Sequence, residues 1–370
     1  MTSSSTLFLR RFKHRDDLHN PLCEEMRIVI NAGIIGLGKM GLSHYAILNT
    51  HPEVRLAAVC DSTPFMLTVL QRHAKGQVFY ADYRKMIDEQ NLDCVVVSTP
   101  TVTHGAIVRY ALERNIHVFV EKPFCLTLSE GEELTRLAQG RGLVNQVGYH
   151  NRFIGAFNEV KRLADLGAIG EVYHFHAEAY GPVVMHPPKA SWRFRRSEGG
   201  GCLYDYASHI INLVNYLFGM PSGASGTVLQ RVFSRDVEDA VYATLAYANG
   251  RSGQLSVNWS DDTYRKMTNR LSLWGNRGKI YADRQECRIY LREENESLAL
   301  TQGWNIRYTT DLTPPVDFYL RGEEYTAQLW YFVRCIAEKR PENVNSFESA
   351  LQTDEVIDLL RQDGERGAGH

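Results

Sequence analysis

Three side chains in this sequence have the types and the spacing that proton transfer requires: Lys122, Asp205 and His209. Lys122 follows the strand-like run in "HVFVEKP", and a lysine at the end of a strand can stabilise charge on a reacting oxygen. Asp205 and His209 stand four positions apart in a helical pattern, which places them on one helix face. Histidine is a suitable base near neutral pH, and a carboxylate can orient it or hold hydroxyl groups. We therefore predict a catalytic site.

The plainer interpretation is that Lys122 is a solvated loop lysine and that Asp205 and His209 form an exposed ion pair on a helix. The run "GGG" at 199–201 lies just before Asp205 and would let the backbone approach a ligand. This neighbour favours the catalytic interpretation. If His209 is the base, oxidation should accelerate with rising pH through the ordinary histidine range.

A second pattern, "INAGIIGLGKMGLSHYAIL" at 30–48, joins a strand-like run to a helix-like one through Gly36, Gly38 and Gly41. In the spacing G-x-G-x-x-G, the first glycine allows a tight turn and the second allows a pyrophosphate to approach the backbone. The third lets the helix lie close to the sheet. Asp61, 25 positions after Gly36, ends the next strand-like run and could hold the ribose hydroxyls. The pattern predicts a dinucleotide site.

The residues after Asp61 indicate which dinucleotide is preferred. They are Ser62 and Thr63, so no basic side chain is present there to receive a 2′-phosphate. We expect NAD rather than NADP. The alternative role of Asp61, as a cap of its own loop, would leave the ribose without its expected partner.

These residues must be positioned by two domains, since 370 residues exceed what one core usually holds. In residues 27–147, Val/Ile/Leu-rich runs such as "CVVVSTP" alternate with helical patterns, which is typical of parallel strands buried on both faces. This half is predicted to be a doubly wound, parallel Rossmann-type α/β sheet.

Residues 148–370 have a different pattern. Two helical stretches and the alternating run "EVYHFHAEAYG" precede a series of strands. Asn249-Gly250 marks the turn of a hairpin in "DAVYATLAYANGRSGQLSVNWS". We expect an α+β domain with an open-faced, mostly antiparallel sheet, helices on one of its faces, and helices at the C-terminal end.

The composition limits the classes of partner that this chain could bind. With 44% hydrophobic and 23% charged residues and a net charge of -2, the chain lacks the positive field that would hold nucleic acid or an anionic membrane. Seven cysteines form no C-x-x-C pair, which favours reduced thiols and a cytoplasmic protein. No apolar run approaches membrane-spanning length, and residues 1–26 lack the pattern of a signal peptide. We expect these residues to form an N-terminal tail, and an ordered strap on the surface is the alternative.

With the glycine motif, the stretches "HVFVEKP" and "GGGCLYDYASHIINLVNYLFG" make the chain resemble the Gfo/Idh/MocA oxidoreductases over residues 27–360. The resemblance implies a Rossmann domain, an open-faced second domain and catalysis in the cleft between them. It assigns the chemistry to Lys122, Asp205 and His209. It also implies dimers or tetramers formed through the open sheet face.

From these patterns we expect two sets of binding residues. The expected cofactor residues are Gly36, Leu37, Gly38, Lys39, Met40, Gly41, Asp61, Ser98, Thr99, Pro100, His104, Glu121 and Lys122. The expected substrate residues are Asn151, Arg152, Tyr180, Trp192, Arg193, Asp205 and His209. Flat aromatic and planar polar groups suit a polyhydroxylated ring.

The expected activity is NAD-dependent oxidation of a secondary alcohol of a sugar, a sugar derivative or an inositol. Two rivals remain: a glycosidase that uses NAD for transient oxidation and elimination, and a non-catalytic NAD-binding regulator. His174 and His176 could join Asp205 and His209 around zinc. We expect no metal, because hydride transfer to NAD requires none and the resemblance implies none.

Overall fold

The computed structural model describes residues 29–74, 76–186, 191–316 and 318–367. The expected tail, residues 1–26, lies outside these ranges. No helix within them has both the length and the apolar composition needed to cross a membrane. The six cysteines in the described ranges are free and buried.

The first part of the chain alternates strands with helices. Its elements are β1 (Ile30–Ile35), α1 (Lys39–Leu48), β2 (Val54–Cys60), α2 (Pro64–Gln71), β3 (Val78–Tyr80), α3 (Tyr83–Glu89), β4 (Cys94–Val97), α4 (His104–Glu113), β5 (His117–Val120), α5 (Leu128–Gly140) and β6 (Asn145–Val147). The six strands are parallel, in the order β3-β2-β1-β4-β5-β6. The predicted doubly wound sheet is confirmed.

This strand order determines where a ligand can bind. The order reverses between β1 and β4, and open α/β sheets bind ligands outside the carboxyl ends of the strands at such a point. Side chains of β4 are buried on both faces of the sheet, since Val95 packs in one core and Val96 in another. A continuous apolar run such as "CVVV" is what this double burial requires.

The second part is built on an eight-stranded sheet. Its elements are α6 (Gly155–Asp165), β7 (Val172–Tyr180), α7 (Ser208–Phe218), β8 (Gly223–Gln230), β9 (Ala240–Ala246), β10 (Ser252–Asn258), β11 (Thr268–Gly275), β12 (Gly278–Ala282), β13 (Glu286–Leu291), β14 (Gly303–Tyr308), α8 (Thr309–Leu312), α9 (Glu323–Ala337) and α10 (Phe347–Gly367). The strand order is β14-β13-β12-β11-β7-β10-β9-β8, and all pairs except β7–β10 are antiparallel.

The two faces of this sheet differ as predicted. Phe175 and Ala177 of β7 are buried in the core formed with α6 and α7, whereas Tyr290, Trp304 and Tyr308 are exposed on the other face. The predicted hairpin joins β9 to β10, with Gly250 at a φ of 83° in its turn. The open-faced, mostly antiparallel sheet is therefore confirmed.

The last two helices cross between the halves. Helix α9 covers the first sheet, where the ring of Phe332 lies 5.9 Å from that of Phe119. Helix α10 begins in a core of the first half, with Phe347 4.3 Å from Phe124, and continues into the core of the second half at Leu360. Helix α9 therefore packs with the first half of the chain, although it follows the strands of the second half in the sequence.

Candidate active site

The three glycines at the crevice have different structural roles. A Cβ on Gly41 would lie 1.9 Å from the carbonyl oxygen of Gly36, so only glycine lets α1 approach β1 this closely. Gly36 has a φ of 95°, and its Cβ would lie 2.8 Å from the backbone of Ser98. Gly38 has no atom within 4 Å of its Cβ position. The turn is thus closed towards the protein and open where a ligand can approach the backbone.

Helix α1 begins at this open side with free donors. Its N-cap, Gly38, provides no side-chain acceptor, and the first turn contains no acidic residue. The first N–H groups and the helix dipole therefore favour an anion such as a pyrophosphate. Lys39 is exposed and Met40 half-buried at the rim of the turn. The residues present fit the expected dinucleotide.

Asp61 joins the end of β2 to the glycine turn. One carboxylate oxygen accepts a hydrogen bond from the N–H of Leu37 at 2.5 Å, and the other accepts one from the N–H of Thr63 at 2.7 Å. Asp61 therefore caps its own loop, which is the alternative role that the sequence suggested. Each carboxylate oxygen can accept more than one hydrogen bond, so contact with ribose hydroxyls is compatible with this role.

Two of the expected cofactor residues hold loops in place. The hydroxyl of Ser98 donates to the carbonyl of Gly36 at 3.1 Å. His104 is buried, with one ring nitrogen 3.0 Å from the carbonyl oxygen of Thr99 and the other 2.9 Å from that of Pro123. These contacts hold the loop around Thr99 and Pro100 against the segment that carries the reactive lysine.

Glu121 is held by a histidine that sequence reasoning missed. The His44 Nε2 of α1 lies 2.7 Å from a carboxylate oxygen of Glu121, and the His44 side chain has no solvent exposure. Burial alone would raise the pKa of Glu121, but the hydrogen bond and charge of His44, together with nearby Lys122 and His150, keep it below its usual range. The only sequence signal was the position of His44, three residues after Gly41.

The lysine that follows β5 meets the second half of the chain at Asp205. Lys122 Nζ donates to one carboxylate oxygen of Asp205 at 2.8 Å, and Arg193 Nε donates to the other at 2.7 Å. Asp205 is 1% exposed. Burial by itself would raise its pKa, but the charges and hydrogen bonds of Lys122 and Arg193 hold the pKa below its usual range. The carboxylate is therefore ionised and fully paired.

The expected pairing of Asp205 with His209 does not form in the described structure. Residues Leu203–Ala207 form a π-helical turn before α7, so the four-residue spacing does not have the geometry of a regular α-helix. Both carboxylate oxygens face Lys122 and Arg193 instead. Asp205 thus orients the lysine and the arginine, and the expectation that it orients His209 is corrected.

His209 is enclosed beside this group. It is 4% exposed, and its Nδ1 is buried without a hydrogen-bond partner in the described structure. Burial, followed by the charges of Lys122, His150 and Arg193, lowers the pKa of His209 well below its usual value. The imidazole is therefore neutral at neutral pH, and its titration lies below the ordinary histidine range that the sequence suggested.

A second histidine at the site was not predicted. The ring of His150 lies 4.9 Å from that of His209 and stacks on Tyr325 at 4.7 Å. Burial is the main reason that its pKa falls to about 3. Its place in the sequence, directly after the last strand of the first sheet and before Asn151, was the available signal.

Two of the four remaining predicted substrate residues contact residues of the site, and the other two do not face the cleft. Asn151 is buried and donates to the backbone carbonyl of His209 at 3.5 Å, and Trp192 packs against the guanidinium of Arg193 at 5.1 Å. Arg152 is buried and donates to the Asn212 carbonyl at 2.8 Å, so it joins structural elements and does not face the cleft.

Tyr180 points away from the site. It lies on the open face of β7, opposite the buried Ala177 and Ala179, and its hydroxyl is 2.8 Å from that of Ser256. The expectation that it faces the substrate is corrected, because alternate residues of a strand face opposite sides of a sheet.

The histidines of the metal alternative also lie on the open face. His174 contacts the Ser252 hydroxyl at 2.8 Å, whereas Asp205 and His209 are on the helices that cover the opposite face. Within the described ranges, no three His, Cys, Asp or Glu residues are grouped as metal ligands. The four groups considered for zinc are therefore not brought together.

Comparison with known families agrees with this geometry. Residues 30–149 match the model of an oxidoreductase family with an NAD-binding Rossmann fold, and residues 157–281 match the GFO/IDH/MocA C-terminal domain. The chain belongs to the Gfo/Idh/MocA oxidoreductase family. The family resemblance seen in the sequence is confirmed.

The individual relatives have low sequence identity to this chain. An uncharacterized oxidoreductase of Escherichia coli (strain K12), YdgJ, is 30% identical over 60% of this chain and 63% of that relative, so the chain spans less than two thirds of its length. The scyllo-inositol 2-dehydrogenase (NAD(+)) of Bacillus subtilis (strain 168) is 24% identical over 87% of this chain and 90% of that protein. The structure of levoglucosan dehydrogenase with NADH and L-sorbose has a TM-score of 0.80 at 23% identity, covering 91% of this chain and 97% of that one.

Because Gly38 and Gly41 have different surroundings, their alanine variants form a matched pair. Gly38→Ala should leave the melting temperature within about 2 °C, since its φ of -64° and ψ of -174° suit alanine. It should weaken NAD binding by about tenfold or more, because the methyl group occupies the approach of the pyrophosphate. Gly41→Ala should destabilise the fold itself. Thermal melting and NAD titration measure both effects, and unchanged NAD affinity in Gly38→Ala would contradict the assignment.

Proposed function

We propose that the protein is an NAD-dependent dehydrogenase acting on a secondary alcohol of a sugar, a sugar derivative or an inositol. The observation that carries this proposal is the assembly of Lys122, Asp205 and a neutral His209 at the carboxyl edge of the first sheet. The similarity to a scyllo-inositol dehydrogenase and to levoglucosan dehydrogenase supports a polyhydroxylated substrate.

The side chains divide the chemistry between them. The neutral imidazole of His209 accepts the hydroxyl proton of the substrate, and Lys122 donates a hydrogen bond to the substrate oxygen and stabilises charge on it. Asp205 and Arg193 keep the lysine in place. Bound NAD supplies the nicotinamide carbon that receives the hydride. In reduction the same groups return the proton.

The glycine turn and Asp61 would hold the cofactor, and we propose NAD over NADP as the physiological one. Leu37 and the start of α1 would contact the pyrophosphate, and Asp61 the adenosine ribose. Both residues after Asp61, Ser62 and Thr63, are exposed and uncharged. A 2′-phosphate would meet a carboxylate there without a compensating cation.

Neither rival function has an observation in its favour. A regulator that only binds NAD would have no need of a lysine, a buried carboxylate and a neutral histidine assembled at one edge. The NAD-using glycosidase would also need transient oxidation, and NADH release under turnover separates it from a dehydrogenase.

We also propose the organisation of the molecule. Residues 27–147 form the dinucleotide domain and residues 148–370 the substrate domain, with α9 returning to cover the first. The exposed aromatic side chains Tyr290, Trp304 and Tyr308 on the open sheet face support a homodimer or homotetramer formed through that face. The free, buried cysteines support a cytoplasmic protein.

The direct test is NADH formation, followed at 340 nm, with a panel of sugars, inositols and nucleotide sugars. Lys122→Ala and His209→Ala should each lower turnover by about 10²–10⁴-fold, the usual cost of lost acid–base assistance. NAD affinity should stay nearly unchanged, because the glycine turn holds the cofactor. Normal turnover in His209→Ala would remove the histidine from the base role.

The pH dependence should reflect the lowered pKa of His209. A base with a lowered pKa remains unprotonated as the pH falls, so oxidative kcat/KM should stay level above about pH 6.5 and fall only below that value. Arg193→Gln removes one of the charges that lower this pKa, so the falling limb should move to higher pH. The measurement is kcat/KM against pH with a deuterated substrate, and a wild-type limb above pH 7.5 would point to another group.

Cofactor preference should depend on Asp61. The wild-type protein should bind NAD more tightly than NADP, and Asp61→Ala should reduce the ratio of the two dissociation constants by removing the repulsion of the 2′-phosphate. Fluorescence titration with NADH and NADPH measures this ratio. Equal affinities in the wild type would refute the preference, and an unchanged ratio in the variant would place its origin elsewhere.

A further inference from the structure

The start of α9 and the residues before it come close to the candidate site through Tyr325, which no sequence pattern indicated. Tyr325 stacks on His150 with ring centroids 4.7 Å apart, and His150 contacts His209 at 4.9 Å. Arg321 lies beside Tyr325, with its guanidinium carbon 5.6 Å from the ring centroid. Three consecutive contacts therefore connect Arg321 with the proposed base.

The backbone holds Arg321 in an unusual conformation. Its φ of 67° lies in the left-handed region, which is uncommon for residues other than glycine. Gly322 follows with a φ of 153°, and a Cβ there would lie 2.1 Å from Arg284 Nη2. Residues held in such conformations cluster at ligand sites, where the surrounding structure maintains them.

Three buried carboxylates around the site are each engaged by a cation or a histidine. The pairs are Asp205 with Lys122 and Arg193, Glu121 with His44, and Glu324 with Arg284. Arg321 is different. Within the described ranges it has no carboxylate partner, and its Nε is buried without a hydrogen-bond partner.

A buried N–H of a guanidinium without an acceptor costs free energy that a bound anion would recover. A carboxylate or phosphate can accept two parallel hydrogen bonds from one guanidinium, which fixes its orientation. Burial lowers the pKa of His150 and raises that of Tyr325, and the charge of Arg321 adds to the first shift and opposes the second.

We propose that the substrate carries an anionic group, a carboxylate or a phosphate, which binds the Arg321 guanidinium beside Tyr325. This inference rests on the proposed dehydrogenase function and narrows it to acidic or phosphorylated sugars. The anionic group would lie near Tyr325 and His150 while the reacting carbinol faces Lys122 and His209.

The experiment compares three sugars that differ in one substituent. D-glucose, D-glucuronate and D-glucose 6-phosphate are titrated into the complex of the full chain with NADH, by calorimetry at low and at physiological salt. Arg321→Asn removes the charge, and asparagine tolerates the left-handed backbone, so the fold should be kept. Arg334→Gln, at an exposed arginine within α9, is the matched control for loss of one charge.

We expect at least one anionic sugar to bind ten times more tightly than D-glucose, with a difference that decreases as salt is added. The difference should disappear in Arg321→Asn and persist in Arg334→Gln. The two anionic probes distinguish a carboxylate from a phosphate. Equal binding of neutral and anionic sugars, absence of binding by all three, or a preference that survives in Arg321→Asn would overturn the proposal.

Failure of this inference can be separated from failure of the proposed function. If a neutral polyol gives NADH with the same kcat/KM in the wild type and in Arg321→Asn, the dehydrogenase function stands and the anion site is wrong. If the sugar, inositol and nucleotide-sugar panel gives no NADH while the anionic sugars bind through Arg321, the anion site stands and the proposed reaction is wrong.

Discussion

The buried carboxylate of Asp205, paired on one side with Lys122 and on the other with Arg193, is the interaction on which the site depends. A carboxylate removed from water is costly unless charged partners and hydrogen bonds compensate for it. One partner comes from the first sheet and the other from the second half of the chain. The carboxylate is therefore fully paired only when the two halves are packed together, so this group of side chains is complete only in the folded chain.

Burial in this same region determines the protonation state of His209 and His150. His209 and His150 lie next to each other and close to Lys122, so burial and positive neighbours both disfavour their protonated forms. A neutral imidazole beside an ammonium group is a suitable pair for oxidising an alcohol, because one group accepts the proton while the other stabilises the oxygen. An isolated histidine of ordinary pKa would be partly protonated near neutral pH.

Supporting contacts keep these groups in position. The hydrogen bond between His44 and Glu121 joins the helix of the glycine turn to the residue before Lys122. His104 ties that same segment to the loop after β4. The glycine turn and Lys122 are therefore parts of one hydrogen-bonded framework, and precise placement of reacting atoms requires such support.

The sequence by itself determined the doubly wound sheet, the glycine turn and the open-faced second sheet, and it selected Lys122, Asp205 and His209 as candidates, because strand periodicity, glycine spacing and short motifs are local properties. Only the tertiary structure decided what those residues touch. The π-helical turn directed Asp205 to Lys122 and Arg193, strand alternation placed Tyr180 on the open face, and Arg152 was buried in a structural role. His44 and His150 reach the candidate site through contacts with residues far apart in the chain, and a single sequence carries no record of such contacts.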